Sequence, residues 1–176
     1  MDRRAVVAAI AAGLIVVGMT GCATPSTDNE GDPGMSNTSG LTLEEAKAHT
    51  IEVRDEMAAL YPAEDIADIR ANETSKALLR CDGEDEFAWP GRTTITVAGT
   101  VDKADALAPI AAAWEGREGW TVENGTSSKG FPKLVLNHLD GTHVNIAYFY
   151  DGAELWVDAV SPCFTLPGGL TVGGEY

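Results

Sequence analysis

The sequence predicts an α+β domain in which a mostly antiparallel sheet ends in a four-strand meander and helices pack on one face of the sheet. Two segments place apolar residues at alternating steps of three and four, which is typical of helices with one buried side. Four later segments are predicted strands, the first of which alternates in hydropathy, and Asp-Gly joins two pairs of them, which is a strong hairpin signal. The order helix, strand, strand, helix and then four strands favours the α+β class.

The N-terminus has the three parts of an export signal. Arg3 and Arg4 form a positive segment, Ala5 to Val17 form an apolar stretch, and small residues follow. The apolar stretch is too short for an ordinary transmembrane helix. A secretory signal is therefore predicted over residues 1–21.

This signal ends in small residues followed by a cysteine. Met19-Thr20-Gly21-Cys22 resembles the lipobox of bacterial lipoproteins, with Met19 where leucine is commoner. The resemblance implies that residues 1–21 are removed as a lipoprotein signal peptide and that Cys22 carries diacylglycerol. It also implies that the mature chain is lipid-anchored on the extracytoplasmic side of the cell membrane. Two or three acyl chains anchor a protein stably, whereas one chain binds only marginally. The alternative is a plain secretory signal in which Cys22 is an ordinary thiol.

The chain is strongly acidic, with a formal net charge of −15. Removal of residues 1–21 takes away one acidic and two basic residues, so the mature chain carries −16. Such a surface repels phosphate backbones and anionic lipid headgroups. Nucleic acid is therefore excluded as a partner, and the lipid alone is expected to hold the protein at the membrane.

Composition divides the mature chain into a tether, a domain and a tail. Residues 22–41 contain the lipidated cysteine and a run of small and polar residues with little to bury, which predicts a disordered tether. Such a linker reaches about 20–25 Å. A single α+β domain is predicted over residues 42–164, and a flexible tail with four glycines over residues 165–176.

Cys81 and Cys163 remain once Cys22 is assigned to the lipid. In an oxidising compartment two such cysteines are expected to pair, so a disulfide is predicted. Closing a loop of roughly 80 residues stabilises a fold by about 4 kcal/mol in the chain-entropy model. Two separate buried thiols are the alternative.

The first helix is predicted to start at Thr42-Leu43-Glu44-Glu45, where Thr42 and Glu45 can form a capping box, and to end before Pro62. One apolar stripe is expected to face the core or, alternatively, a partner. The stripe consists of Leu43, Ala46, Thr50, Val53, Met57 and Leu60. Residues 63–73 are predicted to add a short helical turn.

The middle of the chain predicts two strands and a second helix. Residues 77–81 form a short strand, and the acidic run 82–86 is interpreted as a solvated loop, with a hard-cation site as the alternative. Residues 93–99 alternate and are rich in β-branched residues, which favours a strand. Asp102 is predicted to cap the second helix, which Pro109 is expected to kink or divide.

The four strands of the meander are predicted over residues 120–123, 133–139, 142–150 and 153–162. If both Asp-Gly pairs form two-residue turns, Val135 lies opposite Ile146 and Tyr148 lies opposite Leu155. The predicted core side is then Val135, Leu139, Val144, Ile146, Tyr148, Leu155, Val157 and Ala159. The other side is Leu136, His138, His143, Asn145, Ala147, Phe149, Trp156 and Asp158.

This other side mixes aromatic and polar groups, so it is the candidate binding face. Its candidate residues are Trp156, Phe149, His138, His143, Asn145 and Asp158. The sequence favours a helix or a loop that covers these two aromatic side chains. The alternative, which a binding role requires, is that they form a recognition patch for a protein, a glycan or a peptide, because aromatic side chains are enriched at interfaces.

An enzyme is predicted only as an alternative. His138 and His143 are expected to be cross-strand neighbours with Asp158 nearby, and two imidazoles and a carboxylate can hold zinc. The sequence contains no nucleophile elbow, no Ser-x-x-Lys, no His-Glu-x-x-His, no phosphate-binding glycine loop and no Cys-x-x-Cys. We therefore predict no catalytic residue, no bound metal and no cofactor.

The sequence thus predicts a membrane-anchored extracytoplasmic lipoprotein whose domain is a non-enzymatic binding or interaction module of the cell envelope, with an envelope protein or glycan as ligand. The alternative is a metal-dependent or hydrolytic surface enzyme that uses His138, His143 and Asp158. A purely structural envelope component is a third hypothesis. Taken whole, the chain resembles small lipoproteins of high-GC Gram-positive bacteria, through its lipobox and the Ser-Pro-Cys-Phe run from Ser161 to Phe164.

Overall fold

Six antiparallel strands form the main sheet, and both helices lie on one of its faces. The computed structural model describes residues 40–166, 168 and 173–176. The predicted signal peptide, Cys22 and the predicted tether up to residue 39 lie outside the described residues. The sheet and the helices confirm the predicted α+β class with a mostly antiparallel sheet.

The helices are α1 (Leu43–Ala59) and α2 (Lys103–Trp114), and short 3₁₀ turns span Ala63–Asp65 and Tyr150–Gly152. The strands are β1 (Ile66–Ala71), β2 (Leu79–Arg80), β3 (Glu86–Ala88), β4 (Pro90–Val97), β5 (Trp120–Thr126), β6 (Pro132–His138), β7 (His143–Phe149), β8 (Glu154–Val160) and β9 (Phe164–Thr165). The main sheet has the order β1-β4-β8-β7-β6-β5, and a second sheet has the order β2-β3-β9. Among the described residues, no helix is both long enough and apolar enough to cross a membrane.

The first helix begins where the sequence predicts. The Thr42 hydroxyl accepts a hydrogen bond from the backbone N–H of Glu45 at 3.2 Å, and the Glu45 carboxylate accepts one from the Thr42 N–H at 2.9 Å. This capping box satisfies donors that the first turn leaves without helical partners. The predicted stripe is buried except at Leu60, which is half-buried, so α1 faces the core against β4 and β8.

Residues 66–71 differ from the predicted helical turn. They form the edge strand β1, which pairs with β4 and places Ile69 opposite Ile95. Ile66 and Ile69 are three residues apart, which fits one turn of helix when the segment is considered alone. The hydrogen bonds that β4 offers exist only in the folded chain, so the partner strand decides the structure of this segment.

The second helix runs through Pro109 instead of dividing there. The Asp102 carboxylate accepts hydrogen bonds from the N–H groups of Ala104 and Asp105 at 3.0 and 3.1 Å, which confirms it as the N-cap. Pro109 is exposed, so its ring stands away from the core, whereas Ile110 is buried against the sheet. Proline removes one helical hydrogen bond, and packing of the buried side holds the helix together.

The predicted register between β6 and β7 is wrong by one residue. Leu134 lies opposite Ile146 and is buried, whereas Val135 points to the other face. The hairpin loop has three residues, 139–141, of which only Gly141 has a positive φ, at 97°. A type I turn followed by a left-handed glycine is a common three-residue loop, and its extra residue shifts the pairing.

The register between β7 and β8 is confirmed, with Tyr148 opposite Leu155. The observed core side of the meander is Leu134, Leu136, Val144, Ile146, Tyr148, Leu155, Val157 and Ala159. Val135 does not belong to it, and Leu139 is 77% exposed at the tip of the hairpin. Six of the eight predicted core residues therefore keep their place, and the two exceptions both come from the shifted strand.

Cys81 and Cys163 form the predicted disulfide, with an S–S distance of 2.04 Å. Cys81 directly follows β2, and Cys163 lies between β8 and β9. The bond therefore joins the end of β2 to the start of β9, the two outer strands of the second sheet.

The last four residues, 173–176, are attached to the domain, unlike the predicted flexible tail. The Ser75 N–H donates to the Tyr176 backbone oxygen at 2.8 Å, and the Tyr176 N–H donates to the Ser75 carbonyl at 3.0 Å. The indole N–H of Trp89 donates to the same Tyr176 oxygen at 3.3 Å. Trp89 is fully buried, and Tyr176 packs against the small core that contains it.

Candidate functional site

The face of the main sheet opposite the helices carries most of the predicted site residues. We call it the open face and define it by the side chains that alternate away from the core on five strands. They are Arg70, Arg92, Thr94, Lys133, Val135, Asn137, His143, Asn145, Ala147, Phe149, Glu154, Trp156 and Asp158. All of them except Ala147 are half-buried or exposed. The open face is therefore a broad, mainly polar surface with two aromatic side chains.

Trp156 lies in the open face between Phe149 and Arg92. The Phe149 ring stacks on the indole at a centroid distance of 3.9 Å and an interplanar angle of 20°. The Arg92 guanidinium carbon lies 3.7 Å from the indole centroid. One face of the indole has no room for two groups this close to its centre, so Phe149 and Arg92 lie on opposite faces. The flat surfaces of the indole are already covered, so a ligand can reach only its edge.

Ion pairs surround the indole. Asp158 accepts hydrogen bonds from Nε and Nη2 of Arg92, the second at 3.2 Å. Glu154 accepts one from the Trp156 indole N–H at 2.8 Å, and its other oxygen lies 3.5 Å from Nη2 of Arg70. The Arg70 and Arg92 side chains are 64% and 43% exposed, so these pairs add little stability. Their effect is to fix the directions of the polar groups.

The structure separates the predicted pair of histidines. His143 lies on the open face opposite Asn137, and its Nδ1 is 2.7 Å from Asn137 Oδ1. His138 lies on the helix side of the sheet, where its ring centroid is 4.8 Å from that of Trp120. The prediction that His138 belongs to the candidate face is wrong, because the one-residue shift in register turns every side chain of β6 over.

Asp158 does not join a histidine cluster either. It lies opposite Asn145 and pairs with Arg92. In the part of the chain that the structure describes, no group of three or more His, Cys, Asp or Glu side chains could hold a metal ion. The three residues named by the zinc alternative therefore do not converge.

A different cluster joins α1 to the hairpin between β6 and β7. Nδ1 of His138 lies 2.9 Å from one oxygen of Asp140, and Nε2 of His49 lies 3.5 Å from the other. Burial acts to raise the pKa of the Asp140 carboxyl, but hydrogen bonds from Thr142 and His138 outweigh it and hold the pKa below its usual value. The ionised carboxylate thus accepts hydrogen bonds within the hairpin and lies close to His49 of α1.

Replacement of His143 by glutamine is expected to flatten the pH dependence of stability between about pH 7 and 5. Burial lowers the pKa of the His143 imidazole below its usual value. The unfolded chain therefore takes up a proton here at a higher pH than the folded chain does. The free energy of unfolding consequently falls as the pH drops through the unfolded pKa of about 6.5.

Urea unfolding of the wild type and of His143→Gln across this pH range measures the effect. Glutamine cannot titrate, and it keeps a polar group next to Asn137. Equal pH slopes in the two proteins would contradict the prediction.

A shallow depression lies beside Trp156, where β1 and β4 meet the turn after β7. It has a volume of about 470 Å³ and is lined by Arg70, Ala71, Asn72, Arg92, Thr94, Tyr150 and Glu154. This volume is within the range of small-molecule sites. Arg70, Arg92 and Tyr150 were not among the predicted site residues. The sequence contains only a weak indication that these three residues belong to a site. The segment of Arg70 is predicted as a helical turn and not as a strand, Arg92 precedes the predicted strand 93–99, and Tyr150 lies beside a turn.

The open face offers donors and acceptors oriented by ion pairs, together with aromatic rings, and this chemistry suits binding. No protein-family model matches the chain, and no curated protein or solved structure shows significant similarity to it.

Proposed function

We propose that the chain is a membrane-anchored extracytoplasmic lipoprotein whose domain is a non-enzymatic binding module of the cell envelope. Acyl chains on Cys22 hold the mature chain at the outer side of the cell membrane. The open face carries the ligand site, and the ligand is an envelope protein or glycan. The proposed function needs no cofactor.

The ordered array on the open face is the observation that supports a binding role. Phe149, Trp156 and Arg92 are stacked in series, Asp158 accepts hydrogen bonds from Arg92 at one end, and Glu154 accepts one from the indole N–H of Trp156 in the middle. Side chains that are already ordered lose less entropy when a ligand binds. Trp and Arg are also the residue types most enriched among binding hot spots.

The anchor is supported by the lipobox resemblance of Met19-Thr20-Gly21-Cys22. The α1 capping box begins at Thr42, which leaves about twenty residues of polar sequence between Cys22 and the folded domain. The acidic charge of the chain disfavours a second contact with anionic headgroups, so the open face remains accessible to an envelope ligand.

The enzyme alternative required His138, His143 and Asp158 in one pocket. His138 and His143 point to opposite faces of the sheet, and Asp158 is bound to Arg92. A site that needs these three side chains together has no geometric basis in this fold. We therefore propose only the binding function.

Replacement of Cys22 by alanine is expected to move the protein out of the membrane fraction, because the thioether to diacylglycerol needs the cysteine sulfur. Immunoblots of membrane, soluble and medium fractions from a bacterium that makes the full chain measure this. Met19→Leu is the matched control, since it keeps the cysteine and introduces the commoner lipobox residue, and it is expected to stay in the membrane. A Cys22→Ala protein that remains membrane-bound would contradict the anchor.

A further inference from the structure

We propose that the depression beside Tyr150 is a subsite for an uncharged carbohydrate. The proposal rests on the binding function proposed above and names the class of its ligand. Three features carry it: the strained turn that displays Tyr150, the pairing of all charges around the depression, and the mixture of hydrogen-bonding groups with an exposed ring.

Tyr150 has a backbone conformation that residues with a Cβ rarely adopt. Its φ is 48°, whereas the positive φ values of the next two residues, 56° for Asp151 and 87° for Gly152, are those that a two-residue Asp-Gly turn requires. The Tyr150 side chain is 64% exposed, so burial of the ring does not offset the strain. The ring stands edge-on to Trp156 at a centroid distance of 5.9 Å. Strain of this kind concentrates at functional sites, where a side chain must be held in a particular place.

The charges around the depression are paired. Arg70 lies 3.3 Å from Asp68 and 3.5 Å from Glu154, and Arg92 pairs with Asp158. Two guanidinium groups therefore face three carboxylates, which leaves no excess positive charge for a phosphate, sulfate or carboxylate ligand. The net charge of −15 on the whole chain also repels anions. Because each of these carboxylates is also paired with a guanidinium group, an uncharged ligand fits this surface best.

The lining of the depression matches the chemistry of a sugar, which has hydroxyl groups at its edges and C–H groups on its faces. Arg70 can donate hydrogen bonds, Glu154 can accept them, and the Thr94 hydroxyl can do both. The exposed Tyr150 ring can pack against the C–H face. Because Arg70 and Glu154 are already oriented by their ion pair, binding costs little further side-chain entropy.

The test is binding of the purified full-length lipoprotein, in detergent, to immobilised neutral, carboxylated, and phosphorylated or sulfated oligosaccharides. We expect binding to neutral members. Tyr150→Asn and Arg70→Ala are each expected to weaken it about tenfold. Asparagine tolerates the left-handed backbone conformation, so the first variant removes the ring and keeps the turn. Leu139→Ala and Arg80→Ala replace exposed residues outside the depression, and these controls are expected to bind like the wild type.

Binding to charged oligosaccharides alone, or to none, would overturn the proposed subsite, as would neutral binding that survives both Tyr150→Asn and Arg70→Ala. Photo-crosslinking in cells, with benzoylphenylalanine in place of Tyr150, distinguishes this failure from failure of the binding function. Crosslinks to an envelope protein without carbohydrate binding would overturn the carbohydrate ligand and support a binding module. Absence of both crosslinks and carbohydrate binding would overturn both proposals.

Discussion

Joint replacement of Cys81 and Cys163 by alanine is expected to lower the free energy of unfolding by about 4 kcal/mol. The two residues are 82 positions apart in the chain, so the disulfide removes much of the conformational freedom of the unfolded state. Both cysteines are buried beside Ala88, and alanine adds no polar group to these apolar surroundings. The bond also joins the end of β2 to the start of β9 within the second sheet, so its loss is expected to affect β2, β3 and β9 first.

Urea unfolding of the oxidised wild type and of the double variant gives the difference in their free energies of unfolding. The control is the wild type in reductant, which is expected to lose a similar amount, whereas reductant is expected to leave the double variant unchanged. A wild type whose unfolding midpoint does not respond to reductant would show that the bond contributes no stability in solution.

Replacement of Arg54 by alanine is expected to lower the free energy of unfolding by about 3 kcal/mol. The Arg54 side chain is fully buried on α1, which is rare for a charged residue. Its Nη1 donates to the Asn72 carbonyl at 2.6 Å, and its Nε donates to Asp55 at 2.8 Å. Alanine would leave a cavity between α1 and the sheet and would remove the hydrogen bond to the chain segment that follows β1.

The surroundings of Arg54 are tightly packed. A Cβ added at Gly91 of β4 would clash with the Trp89 ring and would lie 3.3 Å from Nη1 of Arg54. Arg54→Met is the matched variant, since it fills most of the volume but makes no hydrogen bond, and it is expected to lose less stability than Arg54→Ala. Arg80→Ala, on an exposed side chain, is the control and is expected to change stability by less than about 0.5 kcal/mol. Equal unfolding midpoints for Arg54→Ala and Arg80→Ala would contradict the prediction.

Local sequence is sufficient to predict the elements that depend on interactions between residues only a few positions apart. The capping box at Thr42 and Glu45 places the start of α1, and Asp102 places the start of α2, because both caps bond backbone groups of their own first turn. The hairpin between β7 and β8 has its predicted register, so Trp156 and Phe149 lie together on the open face as expected.

The register of β6 could not be obtained in the same way. Three consecutive residues of β6 are apolar, namely Leu134, Val135 and Leu136. The two-residue period of a strand therefore does not show which of them face the core. The number of residues in the loop decides the register, and Asp140-Gly141 is compatible with loops of two or of three residues. For this reason alone, the sequence predicts His138 on the candidate face.

Composition and short-range patterns alone thus predict the α+β class, both helix starts, the disulfide and one correct hairpin, because the interactions involved are local or have a single possible partner. Pairing between distant segments was required to make β1 a strand, to bury Arg54 under the sheet and to bring Arg70, Arg92 and Tyr150 around Trp156. These contacts join residues that lie tens of positions apart. The free energy of these contacts depends on burial and on charges that other elements contribute, so the contacts cannot be predicted from a local pattern of residues.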